Sequence, residues 1–185
     1  MLSTYTLEEH KHRYAAWAAS SAARVPIRFP LKAVDGKRFL EMVSLNALVD
    51  RPDRLPDPCA FDMEHAEWRQ QLVAVMTKEG YSSDWATHGT AAKLINVYLK
   101  TLFVCGGYHA HGKVVGLHPP IDRVLLNALM VADVGGEAVE WRRLRNIGWS
   151  KFKSVDYQCA IDLVRQVMHG APLWQIEQYW QGFRS

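Results

Sequence analysis

The chain has 185 residues, 49% hydrophobic and 22% charged, which suits one domain with a real core and excludes a disordered chain. No apolar run approaches the roughly 18 residues that span a bilayer. Its first residues, Met1 to Thr6, lack the basic-then-apolar layout of a signal peptide. Three cysteines, Cys59, Cys105 and Cys159, are odd in number and form no Cys-x-x-Cys, as expected of a reduced, cytoplasmic protein.

Periodicity is helical almost throughout. Thr6 with Glu9 three residues later predicts a capped first helix running through Tyr14, Trp17 and Ala18 to about Ala23. Pro26 and Pro30 punctuate a loop, and Asp35 is expected to cap a helix carrying Phe39, Leu40, Val43 and Leu45. The proline-rich run Arg51 to Pro58 reads as a loop. A third helix begins at Asp62 or the residue before it, with Trp68, Leu72, Val73 and Val75 at helical steps.

Gly80 to Thr87 is a turn region, and Gly89 to Val104 is the most apolar helix. Gly106, Gly107, Gly112 and Gly116 then mark a flexible loop. Pro119-Pro120 is expected to open a helix through Leu125, Leu126, Leu129 and Met130, since proline lacks only an N–H that the first turn leaves unpaired. Helices over Val139 to Arg145, Val155 to Met168 (Ser154 as cap) and Leu173 to Phe183 complete an all-α domain of about eight helices spanning the whole chain.

The formal net charge of +3 is mild, but it concentrates in one segment. Between Glu137 and Lys153, Arg142, Arg143, Arg145, Lys151 and Lys153 outnumber two acids, with Trp141, Trp149 and Phe152 interleaved. Such a segment tracks a phosphate backbone, or it is a solvated helix face with its tryptophans inward.

Chemistry concentrates in Gly89-Thr90-Ala91-Ala92-Lys93-Leu94-Ile95-Asn96 and in His118-Pro119-Pro120-Ile121-Asp122-Arg123-Val124. A glycine in a tight turn allows close backbone approach, and a helix N-terminus offers N–H groups and a positive dipole end to a phosphate. Lys93 lies one turn inside among apolar neighbours, where desolvation and the dipole disfavour its charge and favour the nucleophilic amine. Asp122 lies near the next helix start, where a carboxylate is favoured.

These residues resemble the hairpin of the helix-hairpin-helix DNA glycosylases, which reads Gly-hydrophobic-Gly-x-Lys-x-Ala. Gly89 matches the first glycine, Ala91 replaces the second, Lys93 matches the lysine and Ile95 takes the alanine position. Ile121-Asp122-Arg123-Val124 corresponds to the family's later helix-start motif, and the long separation looks most like the archaeal-type 8-oxoguanine glycosylase branch. The likeness covers about residues 62 to 130.

The resemblance implies a DNA glycosylase that flips a damaged or modified base out of duplex DNA. Lys93 would attack C1′ and form a Schiff base, with β-elimination as a further AP-lyase step. Asp122 would be the acidic partner, although strict alignment on Arg123 puts His118 in that place. Gly89, Thr90, Ala91 and Ala92 would hold a phosphate, with His88 beside them, and Trp85, Trp17 and Tyr98 are candidates for the base pocket. The setting would be DNA repair or defence against phage DNA with modified bases. No cofactor and no obligate protein partner are implied.

Other readings remain. Cys105, His109, His111 and His118 are four candidate zinc ligands, but their spacing fits no familiar closed site, and a loop with incidental histidines is the simpler account, so no metal is expected. Lys93 can be a lysine that merely snorkels from an apolar helix. The chain can also be a helical DNA-binding or protein-interaction module without catalysis.

Overall fold

In the computed structural model, residues 5–24 and 31–182 are described; Pro26, Pro30 and Phe183 lie outside them. Seven α-helices follow in order: α1 Leu7–Ala22, α2 Ala33–Met42, α3 Phe61–Lys78, α4 His88–Leu99, α5 Arg123–Val131, α6 Ala138–Ile147 and α7 Ser154–Met168. A 3-10 helix, Leu173–Tyr179, is the eighth main element, and no strand occurs among the described residues. No described helix is long and apolar enough to cross a membrane.

Local chemistry sets most helix starts. The Thr6 hydroxyl accepts the Glu9 N–H at 3.1 Å and begins α1. Thr87 and Thr90 form a reciprocal capping pair at α4. Three starts differ from expectation. Helix α2 opens at Ala33 after Lys32, so Asp35 lies in its first turn, where the dipole still favours its charge. Helix α7 includes Ser154 and is preceded by Lys153, whose N–H the Asp156 carboxylate accepts at 3.0 Å. Pro119-Pro120 lies outside α5: Asp122 is the cap, its carboxylate accepting the Leu125 N–H at 2.8 Å.

Beyond Leu99, α4 continues as a π-helix over Lys100–Tyr108, broken at Gly107, whose φ of 93° suits glycine. The glycine-bearing stretch after it is largely exposed through Gly112 and anchored at its far end. Lys113 donates to the carbonyls of Asp53 and Leu55, and a Cβ at Gly116 would meet Pro58 Cα at 3.1 Å.

The core has two parts that meet along α4. One gathers Ala15, Ala19, Phe39, Phe61, Leu72 and Phe103 with Ala91, Leu94, Ile95 and Tyr98 of α4. The other gathers Leu125, Leu129, Trp141, Phe152, Tyr157 and Ile161 with Ala92. Between these two faces α4 carries Lys93, Asn96 and Lys100 at three-, four- and seven-residue steps, a polar stripe directed at the second half. A helix flanked by core on both sides needs partners for such a stripe, and each of the three residues has one.

Candidate active site

Lys93 Nζ donates to Asp122 Oδ2 at 2.9 Å, and the lysine side chain is only 6% exposed. Burial is the first cause acting on this ammonium and pulls its pKa below the ordinary lysine value, against the attraction of Asp122 and Glu177. The face of Trp149 lies 5.8 Å from Nζ. Asp122 is fixed from two further sides: Leu125 N–H bonds Oδ1 as the helix cap, and Trp180 Nε1–H bonds Oδ2 at 3.0 Å. Three donors thus converge on one carboxylate beside a desolvated amine.

Lys100, two turns along α4, pairs with Glu177. Burial raises the Glu177 pKa foremost, and Lys93, Lys100 and Asp122 all act on it electrostatically. Two cations and two carboxylates therefore form one cluster, closed on one side by the segment Leu173–Tyr179 and Trp180. Only Lys93 and Asp122 were identifiable from local pattern; Lys100, Glu177, Trp149 and Trp180 come from elsewhere. The sequence signals among them were the seven-residue spacing from Lys93 to Lys100 and the place of Trp149 in the basic segment 137–153.

His118 faces away from this cluster. Its Nε2 is 2.9 Å from Asp62 Oδ1, and its Nδ1 is 3.0 Å from the Tyr157 hydroxyl. Tyr157 also accepts from Asn96 Nδ2 at 2.9 Å, which leaves its proton for His118 Nδ1 and places the imidazole N–H on Nε2, toward Asp62. Burial holds the His118 pKa down, while the His118 bond is the main cause holding the Asp62 carboxyl well below the usual range. His118 is thus a neutral member of a buried network, and Asp122 alone of the two meets Lys93.

The expected phosphate cradle at Gly89, Thr90, Ala91 and Ala92 is overturned. All four residues are buried. The Gly89 N–H donates to Phe152 O at 3.1 Å, the Thr90 N–H to the Thr87 hydroxyl at 3.1 Å, and the Ala91 N–H to Thr87 O at 3.0 Å. A Cβ at Gly89 would lie 1.7 Å from Trp149 O. The glycine does serve a close backbone approach, but the neighbour is the protein's own 149–152 turn, which carries Trp149 to Lys93.

The expected base-pocket aromatics do not converge either. Tyr98 is fully buried and bonds His12 Nδ1 at 2.7 Å; Trp85 is buried against Tyr81; Trp17 is 53% exposed on α1 beside Tyr14. A ring already enclosed by the first core has no free face for a base. His88 is half-buried, and its Nδ1 has no hydrogen-bond partner.

Among the expected DNA-contacting cations, Arg143 is engaged by Glu140 and Asp156. Arg142, Lys151 and Lys153 are exposed, and Arg145 is half-buried; none of these four is in an ion pair among the described residues. No cluster of three or more metal-ligating side chains occurs among the described residues. Comparisons with protein-family models, curated proteins and solved structures find no match to this chain.

Proposed function

We propose that this chain is a DNA glycosylase, with AP-lyase activity as a second step, acting on a damaged or modified base in repair or in defence against phage DNA. The observation that carries this reading is the buried Lys93–Asp122 contact: an amine with its charge disfavoured, 2.9 Å from an anchored carboxylate. Lys93 Nζ would bond to C1′ as the glycosidic C1′–N bond breaks, the base leaving with the electron pair and taking a proton. Asp122 would stabilise the positive charge developing on the sugar and accept the proton that Nζ loses. Opening of the sugar ring then gives the Schiff base, from which β-elimination cleaves the strand. The enclosing Trp149 and Trp180 exclude water from the amine, which preserves its lowered pKa.

A non-catalytic helical module that binds DNA or protein is the second reading, favoured by the low exposure of Lys93. Burial, however, outweighs attraction in the effect on Lys93, so the pair is costly as a purely structural device. A glycosylase screen across damaged and hypermodified bases, with Lys93→Gln as control, separates the two. Base release by the wild type and none by the variant is expected; no release from any substrate supports the non-catalytic module.

A further inference from the structure

Beside the Lys93 cluster the surface opens into two clefts of about 510 and 380 Å3 that share Arg123 and Arg145 as a common wall. The larger runs along the outer side of α5, with Val124, Ala128 and Tyr179 in its lining. The smaller continues past Gly148 and Trp149 to Lys151. Among the described residues no acidic side chain lines either cleft. Neither Arg123, Arg145 nor Lys151 is in an ion pair among the described residues, and Arg145 Nε is buried with no hydrogen-bond partner.

The lining is continuous with the site through the chain itself. Arg123 directly follows Asp122, Tyr179 and Gln181 flank Trp180, and Trp149 is the ring that faces Lys93. The groove therefore runs beside the reactive pair, which is buried behind it and lines neither cleft. Two unneutralised guanidiniums along an acid-free groove match the spaced negative charges of a phosphodiester backbone, and the apolar side chains with Tyr179 suit sugars and bases between them.

We infer that the Arg123–Arg145 groove holds the DNA strand flanking the target nucleotide, in place of the buried hairpin at Gly89. The inference rests on the glycosylase reading for its substrate, but it concerns binding and is tested by binding. Arg123, exposed at the first turn of α5, becomes a DNA-contacting residue, and Arg143, already paired with acids, does not.

The test is fluorescence anisotropy of a labelled duplex carrying an abasic site, titrated at several salt concentrations. Arg123→Ala and Arg145→Gln should each weaken binding and lower the slope of log affinity against log salt by about 1, and together by about 2. Arg123→Glu should weaken binding further, whereas Lys78→Ala, at the end of α3, should leave affinity and slope unchanged. Circular dichroism melts establish that each variant is folded. An unchanged slope in the folded double variant overturns the groove, even if the wild type is trapped on the same DNA by borohydride. A lowered slope with no trapping of the wild type supports the groove and counts against the glycosylase. A wild type that binds no DNA overturns both.

Discussion

Lys93 Nζ and Asp122 Oδ2 lie 2.9 Å apart although the two residues belong to different helices, and each is held by an unrelated feature. Lys93 is fixed by the burial of α4 between two halves of the core, and Asp122 by its duty as the cap of α5. Because burial dominates at Lys93, its charge is destabilising at neutral pH. The sign follows from linkage. The unfolded state binds the proton more tightly, so the cost is complete below the lowered native pKa and is relieved as pH rises toward 10.5. Lys93→Met combined with Asp122→Asn, which keeps the helix cap and leaves no unpaired carboxylate, should therefore keep or raise the melting temperature, by about 2–4 °C per kcal/mol regained, while abolishing base release. A calorimetric melt beside an activity assay checks both; a marked loss of stability would make the pair structural.

Gly89→Ala should be among the most damaging single substitutions. Its Cβ would fall 1.7 Å from a backbone oxygen, so the 149–152 turn must move and the Gly89–Phe152 hydrogen bond must stretch. A loss of about 3 kcal/mol or more is expected from this overpacking, together with reduced activity as Trp149 leaves Lys93. Urea midpoints give the first quantity, and a base-release assay reports the second.

The helices were legible in the sequence because their caps and apolar spacing are local. Lys93 and Asp122 were legible for the same reason, each being identifiable from its position at a helix start. Trp180 and Glu177 were not, because their approach to α4 is decided by how the C-terminal segment folds back across it. The glycine at 89 was correctly read as a close-approach residue and wrongly supplied with a phosphate, since spacing does not say which backbone comes near. The base-pocket aromatics failed similarly: Tyr98 and Trp85 follow the apolar face of the core, as most aromatic rings in helices do.

The buried chain His65–Asn96–Tyr157–His118–Asp62 makes Tyr157 a sensitive position. Tyr157→Phe removes the acceptor of Asn96 Nδ2 and the donor to His118 Nδ1. Leaving these buried groups unpaired should cost about 1–3 kcal/mol, seen as a lower urea midpoint with an unchanged slope. Equal midpoints would show that water replaces the hydroxyl.

Acid should destabilise the fold from about pH 6.5 downward. Burial is the leading cause holding the pKa of both His65 and His118 below the ordinary imidazole value of 6.5. The unfolded chain then takes protons that the native state refuses, so stability falls as pH drops below 6.5. Each refused proton contributes a slope of about 1.4 kcal/mol per pH unit. Asp62, whose native pKa is depressed, adds stability above 3.8 that is lost at still lower pH. Denaturant melts between pH 7.5 and 5 should show the decline, and His65→Gln should make it shallower; a flat profile would mean that these imidazoles accept protons in the native state.

Borohydride reduction of the protein mixed with abasic-site duplex DNA tests the central claim most directly, because it needs only the amine and the sugar aldehyde. A covalent complex mapped by peptide mass spectrometry to Lys93, weakened by Asp122→Asn and absent in Lys93→Gln, is the predicted result. No complex, or one that maps to an exposed lysine such as Lys151 and survives Lys93→Gln, would contradict it.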